Sequence, residues 1–112
     1  MQDNEKLEDQ AMLIIANAGA ARSAAFEALK RAKEKDFASA EEGLKKADEY
    51  ALISHNAHSE LLKMDAKGEV EKVDLLLSHA QDHLMNAALA VELITEIVAL
   101  RAEIYAKGGE EQ

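Results

Sequence analysis

The chain has 112 residues, enough for one domain and too few for a separate catalytic unit beside it. Its 13 Lys and Arg against 22 Asp and Glu leave a net charge of −9, which repels phosphate backbones and anionic lipid and argues against nucleic acid as a partner. The absence of Cys removes disulfides, thiolate catalysis and Cys-based zinc sites and fits a reducing compartment, while the absence of Pro and the wealth of Ala, Leu, Glu and Lys predict an all-helical protein.

Apolar residues at Leu7, Ala11, Ile14, Ile15, Ala18, Ala21, Ala25, Leu29 and Ala32 keep helical spacing and predict a first helix over about residues 5–34. Asp36 can accept hydrogen bonds from the free amides of a second helix over 37–66, with Glu41 and Glu42 in its first turns. The apolar stripe of that helix runs Phe37, Ala40, Leu44, Ala47, Ala51, His55, His58 and Leu62, which places both histidines on the buried side. Glu41/Lys45 and Glu42/Lys46 form outward pairs. Gly68 is a natural left-handed stop, and a third helix is predicted over about 70–107, followed by a loose tail at 108–112. Two short connections make consecutive helices antiparallel neighbours, so residues 1–112 are expected to form a single up-down-up three-helix bundle.

The third helix carries more apolar surface than one bundle can cover. One face, Leu77, Ala80, Leu84, Ala87, Val91, Val98 and Tyr105, suits packing on the first two helices. A second, Leu75, His79, Asp82, Asn86, Leu89, Leu93, Ile97, Leu100 and Ile104, has the alternating fours and threes of a coiled-coil seam and predicts self-association. Asp82 would there meet its own copies, and like charges at such range either recruit a cation or share a proton. The plainer alternative is that His79, Asp82 and Asn86 only set the register of the seam. No apolar run approaches the ~20 residues of a membrane span. The acidic opening from Asp3 to Asp9 is unlike a signal peptide, so a soluble cytoplasmic protein is expected.

With Gly68 at the centre of a hairpin, His58 and His79 fall at the same height, and His55 and His83 lie within a turn of them. All four histidines of the chain then share one band beside Asp82. Near pH 7 a neutral imidazole is this chain's best nucleophile and metal ligand. His79 could take a phosphoryl group while His83, one turn on, donates a hydrogen bond to it. The same set could instead hold a divalent metal, with His55, His58, His79, Asp82 and His83 as ligands, or serve a purely structural bundle. An H-x-x-D-H pattern on a helix does not separate these three.

The run His79-Ala80-Gln81-Asp82-His83-Leu84-Met85 resembles the active-site signature of the IIA proteins of the lactose/cellobiose family of the sugar phosphotransferase system. Ala21-Arg22-Ser23, Asp36-Phe37, the stretch from Ala51 to Leu62 and Asp65-Ala66 are similar as well, so the likeness covers nearly the whole chain. The resemblance implies a phosphotransferase component that works through a phosphohistidine. His79 would accept the phosphoryl group from the histidine-containing phosphocarrier protein and pass it to a cysteine of the IIB component. A membrane-embedded IIC component would bring in the sugar. It further implies a homotrimer, with Asp82 and its copies around one divalent metal ion, Mg2+, on the axis. Gln81 and His83 would line the phosphoryl site near a subunit boundary. Ala80 and the Leu93–Glu96 stretch look nearer the cellobiose and chitobiose branch than the lactose branch. His58-Ser59 departs from the family's usual Gln-Thr, and His58 is expected to be a tolerated polar residue.

Overall fold

The computed structural model describes residues 2–108, with side chains from residue 5 onward. Three helices, α1 (Gln2–Lys33), α2 (Phe37–Ala66) and α3 (Leu75–Lys107), form a rod with extents of 63 × 19 × 16 Å. The tail expected beyond Gly108 lies outside the described residues.

The joint between α1 and α2 is built from backbone chemistry. Lys35 takes the left-handed conformation (φ 68°), and the amides of Lys35 and Asp36 donate to the carbonyls of Ala32 and Arg31 at 3.0 and 2.9 Å, closing the end of α1. Asp36 then starts α2, because its Oδ1 accepts from the Ser39 amide at 3.2 Å. That bond, helped by the more distant Arg31 guanidinium, holds the Asp36 carboxyl below the ordinary carboxylate range. At the far end Gly68 (φ 79°) does the work predicted for it, with the Gly68 and Glu69 amides donating to Asp65 and Met64.

The third helix begins at Leu75 rather than near residue 70. Two forces delay it. Val70 packs against the core cluster around Ile14, Leu61 and Leu77, the lower core, which ties the chain down first, and the Asp74 carboxylate offers the cap, accepting from the Leu77 amide at 3.0 Å.

Small residues fill the core. One cluster joins Ala21, Ala25, Ala28 and Ala32 to Ala40, Leu44 and Ala47 and to Val91, Ile94 and Val98. The other joins Ala11 and Ile14 to Ala57, Leu61 and Met64 and to Leu77, Ala80 and Leu84. These partners make α1 antiparallel to α2 and parallel to α3, the predicted up-down-up order. At Gly43 an added Cβ would sit 3.0 Å from the Ala28 Cβ, so the two backbones approach as closely as a missing side chain allows. Phe37 and Tyr105 close the other end with ring centroids 5.8 Å apart.

Two expectations need correction. Beyond Ala51 the buried stripe of α2 is Ser54, Ala57, Leu61 and Met64, so His55 is exposed and His58 only half-buried. A serine occupies the core there because its hydroxyl donates to the Ile14 carbonyl at 3.1 Å, which satisfies the one polar group on that face. Among the described residues the Glu41/Lys45 and Glu42/Lys46 pairs are not formed; Arg31 bonds Glu27 and Glu34 instead, at 2.7 and 3.1 Å, and these carboxylates raise its pKa. Such exposed pairs contribute ~0–1 kcal/mol each. By length and composition alone α3 could cross a membrane, with a mean hydropathy of 1.5 over 18 residues, of which the bundle buries 28%, although Asp82, Glu92, Glu96 and Arg101 break it into short apolar runs as the sequence predicts.

Candidate functional site

The buried side of α3 is the predicted one, Leu77, Ala80, Leu84, Ala87, Val91 and Val98, with Ile94 added. Its second face is uncovered: Leu75, Leu89, Leu93, Ile97, Leu100 and Ile104 are 41–86% exposed, and His79, Asp82 and Asn86 share that exposure. Asp82 thus stands on an open apolar face.

His79 and His83, one turn apart, meet edge to face with their Nε2 atoms 3.0 Å apart and ring centroids at 4.4 Å. Two imidazole nitrogens at that distance need one N–H and one lone pair, so the pair shares a single proton between its Nε2 atoms. His79 is exposed and His83 half-buried, which leaves the first ring open to a macromolecular partner and braces the second.

Gln81 is two residues from His79, and an α-helix turns such neighbours to opposite sides. Its Nε2 lies 3.4 Å from the His58 Nε2, on the flank of α3 that meets α2. The hairpin therefore brings the histidines to one height, as the spacing predicts, but splits them around α3. His79 and His83 stand on one flank; His58 and Gln81 stand on the other. His55 lies beyond, in an open groove of about 600 Å³ between α2 and α3 that Leu52, Leu62, Met85 and Ala88 line with the two α2 histidines. Among the described residues, no three His, Asp or Glu side chains are placed to share a metal ion. Asp82 brings one carboxylate only, and a metal site there would need the same residue from other copies.

The sequence profile described as "PTS system, Lactose/Cellobiose specific IIA subunit" matches residues 9–102, a stretch that holds all four histidines. This chain belongs to that family. It is a phosphotransferase-system IIA component, 43% identical to the N,N'-diacetylchitobiose-specific EIIA component of Escherichia coli (strain K12), over 91% of this chain and 88% of that one. The lichenan-specific phosphotransferase enzyme IIA component of Bacillus subtilis (strain 168) is 38% identical, over 95% and 96%. Among solved structures, the PTS cellobiose-specific enzyme IIA from Bacillus anthracis superposes with a TM-score of 0.85 at 42% identity, covering 89% of this IIA chain and 92% of the other. The chitobiose IIA component in complex with HPr, from the N,N'-diacetylchitobiose branch of the Escherichia coli phosphotransferase system, superposes with a TM-score of 0.76 at 42% identity, covering 88% and 95%.

Spacing alone did not reveal the His58–Gln81 contact. It could have been found on a helical wheel, since Gln81 projects away from His79 toward the side on which α2 must pack.

Proposed function

We propose that this IIA chain accepts a phosphoryl group on His79 from the histidine-containing phosphocarrier protein and passes it to the IIB component. The observation that carries the reading is the exposed His79 imidazole, hydrogen-bonded through Nε2 to a braced His83, in a chain whose relative has been solved with HPr. With the shared proton on His83, the lone pair on His79 Nε2 attacks phosphorus. An N–P bond forms there as the N–P bond on the donor imidazole breaks and its electron pair stays with the donor ring. The His83 N–H then turns to a phosphoryl oxygen and offsets its charge. Placement does most of the work, since the transferring group asks little covalent chemistry of the protein. Transfer onward makes an S–P bond on a IIB cysteine as the His79 N–P bond breaks.

The cargo is a β-linked disaccharide of the cellobiose or chitobiose kind, in keeping with the names of the relatives, and a IIC component carries it through the membrane. The chain works in the cytoplasm. Its outward α3 face supports a parallel homotrimer, because so large an exposed apolar strip suits an interface between copies. Within one chain Gln81 and His79 stand on opposite flanks of α3. In a ring of parallel α3 helices, the Gln81 flank of one subunit faces the His79 flank of the next, which brings Gln81 to the phosphoryl site. Three Asp82 carboxylates on the axis suit a hard divalent cation such as Mg2+, which would supply the charge that lets them stand together.

The rival reading, a non-enzymatic metal-bridged oligomer using His55, His58, His79, Asp82 and His83, has less support, because no three of these side chains come together within one chain among the described residues and every such site would have to be assembled from several copies. Incubation with phosphorylated carrier protein, read by intact mass, tests the proposal. The wild type gains one phosphoryl group and His79→Ala gains none; an unmodified wild type, or label on another residue, overturns the assignment.

A further inference from the structure

The structure sets the His58 ring of α2 against Gln81 of α3. An amide nitrogen can only donate. The 3.4 Å contact between Gln81 Nε2 and His58 Nε2 therefore requires a lone pair on the imidazole, with its proton on Nδ1. In that state the Gln81 oxygen faces away from His58. An imidazolium has no lone pair to offer, so a protonated His58 would donate to the Gln81 oxygen instead, and the NH2 group would face away. The two states present opposite ends of one amide to whatever lies beyond it.

Only the NH2 end can donate to the oxygens of a phosphoryl group, and the oxygen end would repel them. The groove around His58 adds few charges. From α2 it presents His55 and Asp48, and from α1 and α3 its lining is Ala18, Leu84, Met85, Ala87 and Ala88, none of them titratable. Nearby Glu60 is engaged by Lys63 at 3.3 Å. Gln81 is thus the polar partner that α3 offers to His58.

We propose that His58 is a positioning residue, holding the Gln81 amide and setting, by its own protonation, whether the oxygen or the NH2 group is presented to the phosphoryl-bearing imidazole of the next subunit in the proposed trimer. The proposal rests on the phosphocarrier reading above. It makes the hold on the phosphoryl group stronger at the acid end of the imidazole range, between about pH 5 and pH 8. A glutamine at this position can still bond Gln81, but it cannot respond to pH.

The test is the rate and extent of phosphoryl transfer from phosphorylated carrier protein to full-length wild type, His58→Gln and His58→Leu across that pH range. Circular dichroism confirms that each variant keeps its helix content. The wild type should respond by about tenfold across the range, the free energy of one charge-assisted hydrogen bond. His58→Gln should give a profile flattened by comparison, and His58→Leu should be slower than both throughout. A wild-type profile retained in both variants overturns the proposal while leaving His79 as the acceptor, whereas failure of the wild type to take any label overturns the underlying reading. A second measurement needs no partner protein. Long-range proton–nitrogen NMR should find neutral His58 with its proton on Nδ1 in the wild type and shifted toward Nε2 in Gln81→Leu; the same tautomer in both overturns the contact.

Discussion

The seam between α1 and α2 and the outward face of α3 are both apolar, yet they are made of different residues. Along the seam, Gly43 lets two backbones come close, and the alanines at 21, 25, 28, 40 and 47 and Ser54 are fully buried. Along the outward face, Leu89, Leu93, Ile97, Leu100 and Ile104 stay 41–59% exposed. Small residues fix helices by proximity and tolerate no added volume, whereas large ones hold area in reserve for contact with another molecule. The His79–His83 pair sits beside the second kind of surface, where side chains are not locked by the core.

Added volume should break the comparison most sharply. Ala25→Leu forces three methylene-sized groups into a site with no exposure and should cost about 3 kcal/mol in urea unfolding. By contrast Leu93→Glu should leave helix content intact and, if the outward face joins copies as proposed, lower the particle mass in sedimentation. An unchanged mass would remove the outward face from the interface. Ser54→Ala, which deletes the hydroxyl bonded to the Ile14 carbonyl, should cost about 1 kcal/mol.

Two glycines sharpen the contrast further. Gly19 has open space where a Cβ would go, so Gly19→Ala should stabilise by about 0.5–1 kcal/mol through helix propensity alone. Gly43→Ala carries the same gain but meets Ala28 at 3.0 Å, and its thermal midpoint should fall below that of Gly19→Ala. The smallest effect is electrostatic. The folded Asp36 carboxyl titrates below its unfolded value, so its contribution is present above the ordinary Asp pKa near ~3.9 and fades as pH drops through the lower folded value. Asp36→Asn should flatten that acid limb in pH-dependent melting and leave neutral-pH behaviour nearly as before.

The features written locally in the chain were legible in it: the α1 and α2 stripes through Ala47, the cap at Asp36, the stop at Gly68, and the seven-residue run from His79. What needed coordinates was set by contacts between distant segments. Val70 holds the chain extended only because the lower core is there to receive it, so the start of α3 slipped from about residue 70 to Leu75. Ser54 looks like a surface residue until the Ile14 carbonyl is placed above it, and ignoring it swung the later stripe of α2 onto His55 and His58. The left-handed residue that ends α1 is Lys35, which gives no glycine signal. Height along the hairpin followed from counting residues, while the division of the histidines between two flanks depended on where α2 lies.

The two connections also differ in how they would accept foreign sequence. Between Lys33 and Phe37 the amides of Glu34, Lys35 and Asp36 all donate to the last carbonyls of α1, and Asp36 both finishes one helix and begins the next. An inserted residue there would rotate α2 against α1 and push its alanines out of line. Residues 67–74 are bound at few points between the Gly68 turn and the Asp74 cap, so a fluorophore site or short tag belongs near Glu71 and Lys72, where both side chains face solvent.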